Sequence, residues 1–275
     1  MKATKLDFKS LYFDLFELHP GIYAAISHVS SNAGFFDLGN HLIIFDTLMD
    51  PFATDDLLKA SKQYTNKEPT FLINSHYHMD HLFGNRKFRS EVPIISNAET
   101  LFEYHRTSEE RLNQFRGQSE AELKRIDEEL KKETDQNKIL EMKNDISAWN
   151  EIMSPSFKLR PPDFIINDSV VIKGTTREIE LIHIGEAHTK GDLIGYFKNE
   201  KICFTGDLLF EKTDPSWVSG PGAFTFALNP KRHIDFLQDY LQKDIEVFVP
   251  GHGNLCTKKE LQENIEFIEK YFLKD

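Results

Sequence analysis

The sequence has little cysteine and no long hydrophobic run. Only two cysteines, Cys203 and Cys256, occur among its 275 residues. Two cysteines are too few for a disulfide framework, which predicts a reducing, cytoplasmic environment. The first residues also lack the apolar core of a signal peptide. No apolar segment approaches the roughly 20 residues that a membrane-spanning helix needs, so we expect a soluble protein without a membrane partner.

The sequence also has fewer basic residues than acidic ones. The 33 lysines and arginines face 44 aspartates and glutamates, giving a net charge of −11. Such a chain repels a phosphate backbone, so we expect a small-molecule substrate and no nucleic-acid partner. Because 40% of the residues are hydrophobic, a chain of this length can bury about 75% of its unfolded surface. We expect one domain over residues 1–275.

Short apolar runs alternate with segments of helical period, which predicts an α/β fold. Strands are predicted at Gly21–Ile26, His41–Phe45, Thr70–Ile73, Glu178–Ile182, Lys201–Phe204 and Glu246–Val249. Helices are predicted at Pro51–Tyr64, Lys231–Leu241 and Lys259–Phe272.

The segment from residue 107 to residue 153 differs from the rest in composition. Of its 47 residues 20 are charged, and Gly117 is its only glycine or proline. Thr107 and Ser119 each precede a glutamate by three residues, a capping-box pattern that predicts helix starts. A turn is expected at 134–137. Two apolar stripes on either side of it predict a helical hairpin, namely Leu123, Ile126 and Leu130 against Ile139, Met142, Ile146, Trp149 and Met153.

Three interpretations of this helical insert remain open. It is a solvated arm, a lid over an active site, or a contact through which two copies of the chain form a homodimer.

The most informative stretch directly follows the apolar run that ends at Ile73. Within six positions it holds His76, His78, Asp80 and His81. Three imidazoles and a carboxylate have no stabilising role at a strand end, because buried polar groups without partners cost free energy. A metal ion supplies the missing partner, and imidazole with carboxylate suits zinc, iron or manganese.

Further candidate ligands follow other apolar runs. His188, Asp207 and His252 each lie just beyond a predicted strand, and Asp46 ends another. Sites in α/β proteins form outside the carboxyl ends of strands, so these residues are expected to converge on one cleft. Glycines next to these ligands indicate close backbone approach, and they are Gly206, Gly251 and Gly253.

In this order the motifs resemble those of the metallo-β-lactamase superfamily of di-metal hydrolases. The resemblance runs from about Gly21 to His252, outside the insert. It rests on Asp46, on His76-x-His78-x-Asp80-His81, on His188 in Glu186–Asp192, on Asp207 in Thr205-Gly206-Asp207, and on His252 in Pro250-Gly251-His252-Gly253.

The resemblance implies a four-layer αβ/βα sandwich with two metal ions at one edge of its sheets. It assigns one metal to His76, His78 and His188 and the other to Asp80, His81 and His252. Asp207 would bridge both ions, and Asp46 would brace the loop that carries the ligand cluster. Two adjacent cations lower the pKa of a shared water and create a bridging hydroxide nucleophile. Asp80 is the candidate catalytic residue, because it would also orient that hydroxide or pass on its proton.

This sequence departs from the patterns of several known branches of the family, and these departures narrow the class of substrate. The zinc β-lactamases lack an aspartate at the bridging position, the lactonases carry a tyrosine where this chain has Leu208-Leu209-Phe210, and the transfer-RNA nucleases use a basic arm where this insert is acidic. We therefore predict cleavage of a small ester, thioester, lactone or amide, β-lactams included. Aromatic residues expected in the pocket are Phe35, Phe36, Trp217 and Phe224.

Two other functions remain as alternatives. A mono-iron persulfide dioxygenase belongs to the same superfamily, and a metal-stabilised binding protein without catalysis would use the helical insert as its active surface. Two zinc ions are the expected cofactor, with iron or manganese as alternatives.

Overall fold

Two β-sheets lie face to face in the computed structural model, which describes residues 3–28, 30–218 and 226–273. Helices cover the outer face of each sheet, giving a four-layer α/β sandwich. The α/β class and the layered architecture predicted for this chain are confirmed.

The first sheet has eight strands in sequence order. Neighbouring strands pair antiparallel from the first strand to the fifth, and they pair parallel from the fifth strand to the eighth. The strands are β1 (Thr4–Lys5), β2 (Phe13–His19), β3 (Ile22–Ser27), β4 (Ala33–Asp37), β5 (Leu42–Phe45), β6 (Phe71–Ile73), β7 (Ile94–Ser96) and β8 (Phe164–Ile165).

The second sheet has five strands, in the order β13-β12-β11-β10-β9. Only the β12–β13 pair is parallel. The strands are β9 (Ser169–Lys173), β10 (Glu178–Gly185), β11 (Asp192–Phe197), β12 (Ile202–Phe210) and β13 (Val247–His252).

Six α-helices complete the described part of the chain. They are α1 (Pro51–Thr65), α2 (Met79–Leu82), α3 (Ala98–Leu130), α4 (Gln136–Met153), α5 (Pro230–Gln242) and α6 (Lys258–Phe272). Two short 3-10 helices occur at Phe83–Lys87 and Pro215–Trp217. No helix among the described residues has the length and apolar character needed to cross a bilayer.

Alternation along the strands explains the layering. In β5, Ile43 and Phe45 point between the sheets, while Leu42 and Ile44 pack beneath α1. Successive side chains of a strand point to opposite faces, so a fully apolar strand must be covered on both sides. The outer face of the second sheet is covered in the same way by α5 and α6. The six strands and three helices predicted outside the insert are all present.

The insert is a helical hairpin, as predicted, but its helices begin elsewhere. Helix α3 is continuous through Thr107 and Ser119, so the two predicted helix starts are wrong. Their hydroxyls donate instead to the carbonyl four residues earlier, at 2.7 Å and 2.8 Å. Inside a helix, Ser and Thr hydroxyls can bond back to the carbonyl four residues earlier instead of capping a helix start. The chain turns at 131–135, and Met153 is 46% exposed rather than in the packed stripe.

Asn97 is the residue that caps α3. Its Oδ1 accepts from the backbone N–H of Thr100 at 2.8 Å, and its Nδ2 donates to the carbonyl of Gly191 at 2.7 Å. We expect Asn97→Ala to lower the free energy of unfolding by about 1–2 kcal/mol, because both the cap and a buried bond are lost. Urea denaturation measures this. Asn113→Ala removes an exposed asparagine of the same helix and should cost nothing; an equal loss in both variants would contradict the capping role.

Candidate metal centre

The candidate ligands meet where strands of both sheets end. Asp46 directly follows β5, and the segment 74–81 follows β6 in the first sheet. From the second sheet come His188, just beyond β10, Asp207, within β12, and His252, the last residue of β13. The predicted convergence of these residues on one site is confirmed.

The first group of side chains consists of His76, His78, His188 and Asp207. Their candidate ligand atoms lie within 4.8 Å of one another. Nε2 of His188 is 3.2 Å from Nδ1 of His78 and 3.3 Å from Oδ2 of Asp207, and Nε2 of His76 is 3.6 Å from the same oxygen. Three imidazole nitrogens and one carboxylate oxygen therefore surround one point, and they could hold a metal ion.

The second group consists of Asp80, His81 and His252, again with ligand atoms within 4.8 Å of one another. Oδ2 of Asp80 lies 3.1 Å from Nε2 of His252 and 3.6 Å from Nε2 of His81. The imidazole of His252 stacks on Phe210, with ring centroids 5.4 Å apart. This group could hold a second ion.

Asp207 stands between the two groups. Its Oδ2 faces His76 and His188, while its Oδ1 lies 3.0 Å from Nε2 of His81 and 3.5 Å from Nε2 of His252. One carboxylate thus presents an oxygen to each group, which is the arrangement that a bridging ligand requires.

Unpartnered atoms show that this donor set fits metal ions. Among the described residues, Nε2 of His76, Nε2 of His81 and Oδ1 of Asp207 are buried without a hydrogen bond of good geometry, although the last two atoms lie 3.0 Å apart. A buried polar atom without a partner costs about 1–3 kcal/mol, so such atoms are rare unless something else binds them. Their convergence fits a site that metal ions could complete.

The pKa values of the histidines fit the same interpretation. Burial, aided by the charge of His188, lowers the pKa of His78 to about 3, which leaves its imidazole neutral and free to coordinate. Burial alone would lower the pKa of His252, but the carboxylates of Asp207 and Asp80 raise it to about 10. The two carboxylates therefore favour a positive charge next to them, and bound metal ions would provide it.

Asp46 holds the ligand loop through hydrogen bonds. Its Oδ1 accepts from the backbone N–H of Ser75 at 2.7 Å, and its Oδ2 accepts from Oγ of Ser75 at 2.7 Å and lies 2.8 Å from Nδ1 of His81. His188 is oriented similarly, since its Nδ1 lies 2.7 Å from the carbonyl of Phe226. These bonds turn the Nε2 atoms of both imidazoles toward the centre.

Two glycines allow the strands to approach the centre. A Cβ on Gly251 would lie 1.9 Å from Oδ1 of Asp207, and one on Gly206, whose φ is +53°, would lie 2.8 Å from the side chain of Ser75. The predicted close backbone approach is confirmed at both positions.

The predicted pocket aromatics are mostly elsewhere. Phe35 and Phe36 are fully buried in the hydrophobic layers on either side of the first sheet, so their assignment to the pocket was wrong. Trp217 contacts Phe210, the residue on which His252 stacks. Phe224 lies outside the described residues. Strand periodicity alone gave no signal separating buried phenylalanines from pocket residues.

The residues that form the wall of the cleft beside the centre carry no motif that predicts this position from sequence. A cleft of about 460 Å³ is lined by Asp80 together with Met49, Met79, Arg111, Gln114, Phe115 and Gln118. Four of these residues lie on α3 of the insert. The insert therefore borders the candidate site, which supports a role in the active site over that of a remote arm.

Comparison with known proteins agrees with the fold. A family model described as the metallo-beta-lactamase superfamily matches residues 27–252. No curated protein matches the chain closely. Among solved structures, a metallo-beta-lactamase from Pontibacter korlensis is similar, with a TM-score of 0.60 and 17% identity over 98% of each chain.

Two further solved structures share the fold at low identity. The DIM-1 metallo-beta-lactamase exposed to ceftazidime has a TM-score of 0.62 and 13% identity, covering 94% of this chain and 97% of its own. TMB-1 has a TM-score of 0.61 and 16% identity, covering 94% and 98%.

Proposed function

Because the chain belongs to the metallo-beta-lactamase superfamily, we propose that it is a metal-dependent hydrolase of a small ester, thioester, lactone or amide. The observation that carries this proposal is the placement of Asp207, with one oxygen toward each group of histidines. The residues around Asp207 could hold metal ions, which would supply an activated water and polarisation of the substrate's carbonyl.

The chain's own residues divide the work of binding these ions. His76, His78 and His188 would hold one ion, Asp80, His81 and His252 the other, and Asp207 both. Asp46 acts through His81 and Ser75, and so it is a positioning residue. Zinc is the proposed metal because imidazole and carboxylate ligands suit it, while the same donors accept iron or manganese.

Asp80 is the proposed catalytic residue. Its side chain is 28% exposed and lines the cleft, whereas Asp207 is only 5% exposed. Its Oδ2 is directed at His252 and His81, while its Oδ1 makes no hydrogen bond to the residues that the structure describes. Oδ1 can therefore accept a proton from the attacking water and return it to the leaving group.

Metal content and turnover test this function together. We expect about two zinc ions per chain, measured by plasma mass spectrometry on protein purified without added metal. Manganese at the same stoichiometry would also support hydrolysis. The metal-loaded protein should then cleave at least one member of an ester, thioester, lactone and β-lactam panel. One iron per chain with oxygen consumption would favour the dioxygenase, and bound metal without any turnover would favour the binding protein.

Replacing Asp80 tests its catalytic role. We expect Asp80→Asn to lower kcat by about 10²–10⁴-fold, because the side chain keeps its shape but loses both a charged metal ligand and the proton acceptor. Initial rates on the best panel substrate measure the effect. Asp235→Asn removes an exposed carboxylate of α5 and should leave the rate unchanged. Turnover by Asp80→Asn equal to that of the wild type would refute the proposed mechanism.

A further inference from the structure

One cation in the cleft, Arg111, forms no ion pair with a carboxylate of the residues that the structure describes. Four arginines lie on α3. Arg106 pairs with Glu103, Arg125 pairs with Glu122 and Glu129, and Arg116 donates to backbone carbonyls. Arg111 makes no ion pair and no side-chain hydrogen bond anywhere in the described ranges.

Arg111 is nevertheless held close to the metal centre. Its guanidinium lies 5.3 Å from the ring centroid of Tyr77, and that ring lies 5.0 Å from the imidazole of His78. The side chain is half-buried and lines the same cleft as Asp80. A cation resting on an aromatic face keeps its N–H donors available for another group.

The rest of the cleft limits what such a group can belong to. Met49, Met79 and Phe115 supply an apolar surface, and Gln114 and Gln118 supply amides. Within the described residues, the only charged side chains that line this cleft are Asp80, at the end next to the metal centre, and Arg111. A single guanidinium matches the single charge and planar shape of a carboxylate.

We propose that Arg111 and this cleft form a subsite for a carboxylate on the substrate, making Arg111 a specificity-determining residue. The substrate would then carry its scissile carbonyl near Asp80, a short apolar segment along Met49, Met79 and Phe115, and the carboxylate at Arg111. This inference rests on the proposed hydrolase function for the position of the scissile bond. The anion subsite itself depends only on the contacts of Arg111.

Two matched esters test the subsite in the metal-loaded full chain. The probes are para-nitrophenyl hexanoate and the para-nitrophenyl monoester of adipic acid, which differ by a terminal carboxylate. We expect Arg111→Gln to raise KM for the adipate ester about tenfold, since a charge-assisted contact is lost, with kcat changed by less than about twofold. The hexanoate ester should be unaffected, and Arg111→Lys should recover part of the loss.

Arg125→Gln is the control, because it removes the same charge from the same helix at an exposed site. It should match the wild type on both esters. If Arg111→Gln changes KM equally for the two esters, or changes it for neither ester, the subsite proposal is wrong. Circular dichroism and the melting temperature show whether each variant is folded.

Binding separates failure of the subsite from failure of the hydrolase. Calorimetry with phenoxyhexanoate and phenoxyhexanol, which cannot be hydrolysed, should show about tenfold weaker binding of the acid to Arg111→Gln than to the wild type or Arg125→Gln. If neither ester is cleaved but this difference is present, the subsite stands and the hydrolase proposal fails. Equal binding of the acid to the wild type and Arg111→Gln, or no binding to either, would refute the subsite.

Discussion

Asp207→Asn should lower kcat/KM by about 10³-fold or more and reduce the metal content from about two ions per chain to about one. The carboxylate presents one oxygen to His76 and His188 and the other to His81 and His252. An amide keeps the shape but offers one neutral oxygen in place of two charged ones. Loss of a metal costs several kcal/mol of transition-state stabilisation, and each 1.36 kcal/mol is a factor of ten in rate.

Plasma mass spectrometry and initial rates on the best panel substrate measure the two effects side by side. Asp239→Asn, at an exposed position of α5, removes the same charge far from the centre and should leave both unchanged. If Asp207→Asn retains two ions and the rate of the wild type, Asp207 does not bridge them.

Asp46→Ala should lower the free energy of unfolding by about 3–5 kcal/mol and weaken metal binding about 10–100-fold. The fully buried carboxylate accepts hydrogen bonds from the backbone N–H and from Oγ of Ser75 and contacts Nδ1 of His81. Its removal leaves a buried N–H and a buried imidazole without an acceptor. Asp46 also has a φ of +56°, a left-handed backbone conformation that aspartate tolerates better than alanine does.

Urea denaturation of metal-free and metal-loaded protein separates the two effects. Asp46→Asn is the informative second variant, because it suits the backbone and still offers one acceptor oxygen, so it should recover part of the stability. Asp127→Ala removes a carboxylate that pairs with Lys131 at the surface and should cost at most about 1 kcal/mol. A similar loss in Asp46→Ala and Asp127→Ala would show that Asp46 does not support the centre.

The local sequence pattern was sufficient to identify the candidate ligands, but it did not place the helix starts of the insert correctly. His76, His78, Asp80 and His81 stand within six residues after an apolar run, so their proximity is fixed by the chain itself. The start of α3 could not be predicted from local sequence. Thr107 fits a capping box in sequence, yet its hydroxyl bonds back to the carbonyl of Glu103 within a continuous helix. Both states satisfy the same hydroxyl, and packing of the whole helix decides between them.

The sequence by itself determined the α/β class and six of the thirteen described strands, and it singled out seven candidate ligands, because hydrophobic period and ligand clustering are properties of neighbouring residues. Only the tertiary structure decided that Asp207 stands between the two groups and that Phe35 and Phe36 lie in the core. It also placed Arg111 in the same cleft as Asp80. Such placements depend on how helix α3 and the two sheets pack. Packing brings together residues that are far apart along the chain, and no local sequence pattern predicts these contacts.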